Sequence, residues 1–148
     1  MEYIINENTL FIEKNSILEQ IFICEEDNKL YLDSSILNII DSSCLAYGSS
    51  YKGRKEYSKK CIRITSKIPI IIKEKPLLIF MPIGKLNIWI NFNKIASFDK
   101  CGKDVEITFI NGITKIIKTS YFSFNNQYLK CCFLYTIFSL KNNKFSFK

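Results

Sequence analysis

Alternation of apolar and polar positions marks strands in the first third of the chain. Thr9–Ile12 and Ile21–Cys24 are apolar and β-prone, and the polar turn Glu25-Glu26-Asp27-Asn28 leads into Lys29–Leu32, which predicts a hairpin. Asp33-Ser34-Ser35 offers a helix cap, and Ile36, Leu37, Ile39 and Ile40 follow at helical spacing, so one short helix is expected to end near Asp41. From Cys61 to Ile72 the pattern is strand-like. With Lys59–Ile68 extended, Ile62, Ile64 and Ile68 face one side while Lys59, Arg63 and Lys67 face the other. Pro69, Pro76 and Pro82 break up the next stretch and leave Leu77–Met81 as a short strand. Ile88, Ile90 and Phe92 alternate, but Ile95 and Phe98 are out of phase with them, which predicts a bulge or bend near Asn93.

Val105, Ile107 and Phe109 alternate into Asn111-Gly112, and Ile113, Lys115 and Ile117 alternate out of it. That pattern predicts a two-residue type I′ hairpin, whose turn residues both need positive φ. Ser120 or Ser123 can cap a last helix from about Phe124 to Leu140, with Tyr128, Cys131, Cys132, Tyr135 and Phe138 along one stripe. Phe133, Leu134, Ile137 and Leu140 make its other face apolar as well. Such a helix is either buried deeply or covers a partner subunit, and burial in the core is the favoured reading. Interrupted by Gln127 and Lys130, it is a poor membrane span. The elements add up to an α+β fold. We expect one domain over residues 1–148, mostly antiparallel sheet or a partly closed barrel, with a short internal helix and a C-terminal helix packed on it.

Composition removes most chemistry. The chain has no histidine, so Ser-His-Asp and Cys-His nucleophilic sites and imidazole metal sites are excluded. Its six cysteines include no C-x-x-C pair, which argues against structural zinc, and the carboxylates show no ligand spacing, so neither a cofactor nor an active site is expected. The start, Met1-Glu2-Tyr3-Ile4, does not read as a secretory signal, which suggests reduced thiols in a cytoplasmic protein and no membrane partner.

Charge is divided along the chain. Residues 1–51 carry two lysines against nine acids, a net of −7, and residues 52–148 carry nineteen basic residues against five acids, a net of +14. The densest stretch holds Lys52, Arg54, Lys55, Lys59, Lys60, Arg63 and Lys67 with only Glu56 opposing, the composition of a surface that meets a polyanion or of plain solvated surface. Gly48-Ser49-Ser50-Tyr51-Lys52-Gly53-Arg54-Lys55 has the glycine spacing of a phosphate-binding loop. Arg54 and Lys55, however, stand where Lys and Ser or Thr are required, so nucleotide hydrolysis is not expected. A hydroxyl-rich turn with exposed backbone N–H groups, an aromatic ring and cations suits phosphate-backbone contacts.

The same segment, preceded by Asp41-Ser42-Ser43-Cys44, resembles the signature of the ComK family of bacterial competence transcription factors. The likeness continues through Leu78-Ile79-Phe80-Met81-Pro82, Trp89-Ile90, the stretch Val105–Gly112, and Ser120-Tyr121-Phe122-Ser123-Phe124-Asn125-Asn126-Gln127. The resemblance implies an activator of DNA-uptake genes that is no enzyme and works as a dimer or higher homo-oligomer. It would bind A/T-rich double-stranded DNA mainly through the minor groove. The candidate DNA-binding residues are then Ser49, Ser50, Tyr51, Lys52, Arg54, Lys55, Lys59, Lys60, Arg63 and Lys67, with Arg54 and Arg63 toward the groove and Lys52, Lys55, Lys59 and Lys60 toward phosphates. Members of that family run on into a tail that adaptor proteins grasp. The sequence here ends at Asn142–Lys148, which leaves room for a role as partner or regulator of a longer paralogue. The alternative from a different class is a pleckstrin-homology-like module meeting anionic lipid or a protein.

Overall fold

The computed structural model describes residues 2–15 and 17–146, with side chains through Asn142. The expectations placed on Met1-Glu2-Tyr3-Ile4 and on the tail therefore fall partly outside the described residues. Six antiparallel strands form the central sheet: β1 (Thr9–Asn15), β2 (Gln20–Glu25), β3 (Lys29–Leu32), β4 (Ile70–Glu74), β5 (Leu77–Ile83) and β6 (Ile88–Asn91). Their spatial order is β3-β2-β1-β6-β5-β4. A second sheet holds β7 (Ile95–Cys101), β8 (Asp104–Phe109) and β9 (Thr114–Ile117) in sequential order. The helices are α1 (Ile36–Ala46), α2 (Tyr51–Ile62) and α3 (Tyr121–Ser146). The fold is α+β as expected, and both sheets stay open instead of closing into a barrel.

Period two sorts the central sheet's side chains between two cores. Ile12, Ile21, Ile23, Ile70, Ile72, Leu78, Phe80 and Trp89 point to one face, where Ile36, Ile39, Ile40 and Cys44 of α1 cover them. Phe11, Ile71, Ile79, Met81, Ile83, Ile88 and Ile90 point to the other, under β8, β9 and the buried stripe Phe124, Cys131, Leu134 and Phe138 of α3. Phe98 of β7 nests among Tyr121, Phe124 and Tyr128 of α3 with ring centroids 4.7–5.6 Å apart. Charge also ties the second sheet to the first, through Lys115 of β9 and Glu13 of β1 at 3.0 Å, and Lys94, just before β7, pairs with Glu26, just after β2, at 2.8 Å.

Several expectations need correcting. The run Lys59–Ile68 is not a strand: its first part belongs to α2, Arg63 ends that helix in the left-handed region at φ 52°, and β4 begins only at Ile70. The basic stripe on a sheet face therefore does not exist, and there are two internal helices, not one. The helix α1 runs past Asp41 to Ala46, capped by Ser35 as expected. The bend near Asn93 is a single 3-10 turn over Phe92–Lys94 that carries the chain from one sheet to the other. The helix α3 starts a turn earlier than expected, because Ser120 is the cap and Ser123, whose N–H donates to it at 3.1 Å, lies inside. Its buried stripe is Phe124, Gln127, Cys131, Leu134 and Phe138, while Tyr135 is exposed.

The β8–β9 hairpin forms where alternation puts it, but its turn has three residues. Gly112 N–H donates to Phe109 O at 2.9 Å and Phe109 N–H donates to Ile113 O at 2.8 Å. Only Gly112 takes positive φ, at 92°, as in a type I turn closed by a glycine bulge. A Cβ at Gly112 would touch nothing, so Gly112→Ala should cost backbone strain alone, about 1–2 kcal/mol, read as a lower urea midpoint at unchanged slope.

Candidate nucleic-acid interface

The α1–α2 unit is a helix–turn–helix whose connector is Tyr47–Ser50. Gly48 takes φ 98° and closes α1: its N–H donates to Leu45 O at 3.1 Å and the Ser49 N–H donates to Cys44 O at 3.0 Å, the paired bonds of a glycine-terminated helix. Ser50 then caps α2, accepting the Gly53 N–H on Oγ at 2.9 Å. Asp41, from the preceding helix, accepts the Tyr51 N–H on Oδ1 at 2.9 Å. The N–H groups expected to cradle a phosphate are thus already engaged at two positions, with a carboxylate standing where the anion would sit. An anion at this turn would have to be met by side chains instead. Sequence reasoning missed the part played by Asp41; the signal was an Asp ten residues ahead of Tyr51.

The rest of α2 divides into an inner and an outer side. Tyr51 meets Trp89 edge-on with ring centroids 6.4 Å apart, and Tyr57 meets Phe138 of α3 at 6.0 Å. These two anchors, with Ile62 in the second core, lay α2 across the exposed edge of β4. Arg54 turns inward too. Its side chain is 11% exposed and its guanidinium lies 3.6 Å from Glu74 at the end of β4. Lys55 leans over the Tyr51 ring at 5.8 Å and Lys59 pairs with Glu56 at 3.6 Å.

Lys52 and Lys60 are exposed along the outer side of α2, and Arg63 and Lys67 are exposed in the loop that follows. None of these four has a carboxylate within 4.0 Å among the described residues. Ser49, Ser50 and Tyr51 are half-buried in the turn. Of the ten candidates, then, four form a free outer row, Lys55 and Lys59 flank it, and Arg54 is held beneath it.

Two cations that the sequence analysis passed over border the same surface from α3. Lys130 donates to Ser66 O at 3.3 Å, and burial together with the nearby Lys67 ammonium lowers its pKa. Lys141 sits 5.6 Å over the Tyr57 ring. Buried Gln127 fixes the loop to α3 by donating to Lys67 O at 2.6 Å. The clue was that no acid follows Glu106 in the chain. Elsewhere the acidic first third pairs with Lys73, Lys94 and Lys115; at Lys73 and Glu7, 2.7 Å apart, the lysine's hydrogen bond holds the carboxyl below its usual range.

Burial pushes the Cys44 thiol up to about 11 and raises Cys131 well above its ordinary value, so both behave as apolar packing groups. Among the described residues no three Cys, Asp or Glu gather as a metal-binding group, and no helix is long and apolar enough to cross a membrane.

The family profile described as ComK protein matches residues 1–143. The chain belongs to the ComK family. A relative from Bacillus subtilis (strain 168), named competence transcription factor, is 33% identical over 121 residues, covering 78% of this chain and 63% of the relative. The match thus spans less than two-thirds of that relative's length. No solved structure matches. The Gly48–Lys55 segment that resembles the ComK signature is largely architectural here: Gly48 and Ser50 build the turn, Tyr51 and Arg54 anchor it, and Lys52 and Lys55 are left beside the outer surface.

Arg54 and Lys60 should therefore separate in stability. Arg54→Ala leaves Glu74 without its cation and opens a gap beneath α2, and should lower unfolding free energy by roughly 1–2 kcal/mol, discounted because Glu74 is half-exposed. Lys60→Ala should stay within about 0.5 kcal/mol of the parent. Urea denaturation of the two variants checks this.

Proposed function

We propose that this chain is a DNA-binding regulator that activates competence genes by gripping A/T-rich duplex, as a homo-oligomer, along the surface formed by α2 and the loop after it. The observation that carries the reading is the row of exposed cations Lys52, Lys60, Arg63 and Lys67 free of carboxylates among the described residues, in a chain whose other lysines are in part neutralised by its acidic first third. Membership of the ComK family and the name of the Bacillus subtilis relative support the same reading.

Groove dimensions assign the roles. An α-helix is too wide for a minor groove of about 6 Å, so α2 would lie along the phosphates, with Lys52, Lys55, Lys59 and Lys60 as phosphate contacts. Arg63 and Lys67 stand on a loop and can reach in. Narrow A-tract grooves concentrate negative potential and favour such inserted cations. Arg54 acts beneath the surface by holding α2 on β4. The protein would work without a cofactor, among nucleoid-bound proteins of the cytoplasm, and a longer paralogue remains a candidate partner.

Mobility shifts test this directly. With about six phosphate contacts, affinity for A/T-rich duplex should fall roughly a thousandfold between about 50 and 200 mM salt, and a flat dependence contradicts the reading. Arg63→Ala should weaken A/T-rich duplex more than G/C duplex, by about 1–3 kcal/mol, while Lys60→Ala should weaken both equally. Anionic vesicles provide the contrast: stronger capture by vesicles than by duplex supports a lipid-binding module instead.

A further inference from the structure

The helix α3 carries two apolar seams. Phe124, Gln127, Cys131, Leu134 and Phe138 are buried against the sheets. On the opposite side Phe122, Asn126, Leu129, Phe133, Thr136 and Leu140 are all exposed. The four apolar members are open to solvent by 74% at Phe122, 53% at Leu129, 53% at Phe133 and 62% at Leu140. Steps along this outer seam alternate four and three residues, the spacing that keeps a stripe facing a second helix along its length. The sequence of steps is also symmetric about position 131. Turning a second copy end for end sets Phe122 against Leu140, Leu129 against Phe133, and Asn126 against Thr136.

We propose that the outer seam of α3 is a homodimer interface in which two copies pack antiparallel about a two-fold axis at the level of Cys131. It deepens the homo-oligomer reading above by naming the surface and its geometry. Each layer of the antiparallel pair is matched, apolar on apolar in four layers and amide on hydroxyl in the remaining two. Polar residues in such a seam fix register, since a slip of one turn would leave the Asn126 amide against the Phe133 ring or Leu140.

Charge favours the arrangement. The seam has no charged residue, and the whole of α3 has no acid to offer a basic partner. Lys130 is drawn aside to Ser66 O and Lys141 to the Tyr57 ring, so neither ammonium lies across the path of a second copy. Antiparallel packing sets the helix dipoles head to tail and keeps the two Lys141 side chains at opposite ends, whereas parallel packing would bring them side by side.

The seam is of modest area. Phe122 to Leu140 spans about 27 Å of helix, and at a width of about 10–12 Å the seam covers roughly 300 Å² in projection, the scale at which exposed apolar patches mark interaction sites. Accessible area exceeds projection, and half-buried Ile137 on the flank of the seam widens the contact. Two copies together cover roughly 600 Å² in projection, below the about 1,200 Å² of stable specific interfaces, the scale of a weak, concentration-dependent dimer.

Sedimentation of the intact chain should give twice the 17.3 kDa chain mass at micromolar concentration. Leu129→Lys and Phe133→Glu should each weaken self-association at least a hundredfold, while circular dichroism and thermal midpoint stay near the parent values because both positions are exposed. Mixing the two variants in equal amounts should restore the dimer. In the antiparallel pair the new ammonium faces the new carboxylate, and the other layer keeps its native leucine and phenylalanine. A parallel pair would instead bury each charge against an apolar side chain, so a mixture that stays monomeric overturns the antiparallel order. A monomeric parent, or single variants that keep the dimer mass, overturns the seam altogether. A dimer that ignores duplex DNA leaves the seam standing and removes the DNA reading; a monomer that binds duplex does the reverse.

Discussion

Burial of both faces of the six-stranded sheet is the constraint on which the remaining architecture depends. All four residues of β6, Ile88 to Asn91, are buried, with the isoleucines on one side and Trp89 on the other. A sheet apolar on both faces needs two covers. One is α1; the other is α3 with the second sheet. Of the two edge strands, β3 and β4, β4 has unpaired backbone groups that would invite another strand, and α2 lies across it. A helix placed on an edge has a narrow inner side and a broad outer one. Cations collect on the outer side because nothing packs there.

The charge pattern follows from the same layout. Acids concentrated in the first third of the chain sit on β1, on the β2–β3 turn and in the segment before β1, where they meet Lys115, Lys94 and Lys73. Among the described residues, cations without a carboxylate partner then fall in two places, one on α2, the loop to β4 and the flank of α3, the other at Lys100, Lys103 and Lys118 around the second sheet. The net of +7 is therefore less informative than its placement.

Strands were legible wherever alternation coincided with a half-buried pleat, as at Thr9–Ile12, Ile21–Cys24 and Val105–Phe109. The helix α2 was not. It has only two aromatic anchors, Tyr51 and Tyr57, and packs on an edge, so its hydrophobic periodicity is faint, and Gly53 occupies the position where a capping box would show Glu or Gln. Ile62, Ile64 and Ile68 simulated a strand because they alternate, although the first ends a helix and the last precedes β4. The hairpin turn was misjudged by one residue, since Ile110 looks like a strand position and instead enters the loop. At the candidate interface, the cation-rich stretch could be read directly. The inward path of Arg54 could not, because its partner Glu74 lies twenty residues away on a strand.

A lysine footprint tests the central claim most directly: acetylation of the free protein and of its complex with A/T-rich duplex, read residue by residue by mass spectrometry. The basic edge as binding surface predicts strong protection at Lys52, Lys60 and Lys67, and unchanged reactivity at Lys100, Lys103 and Lys118, which are exposed around the second sheet. Protection of the second group with the first left reactive would contradict the account.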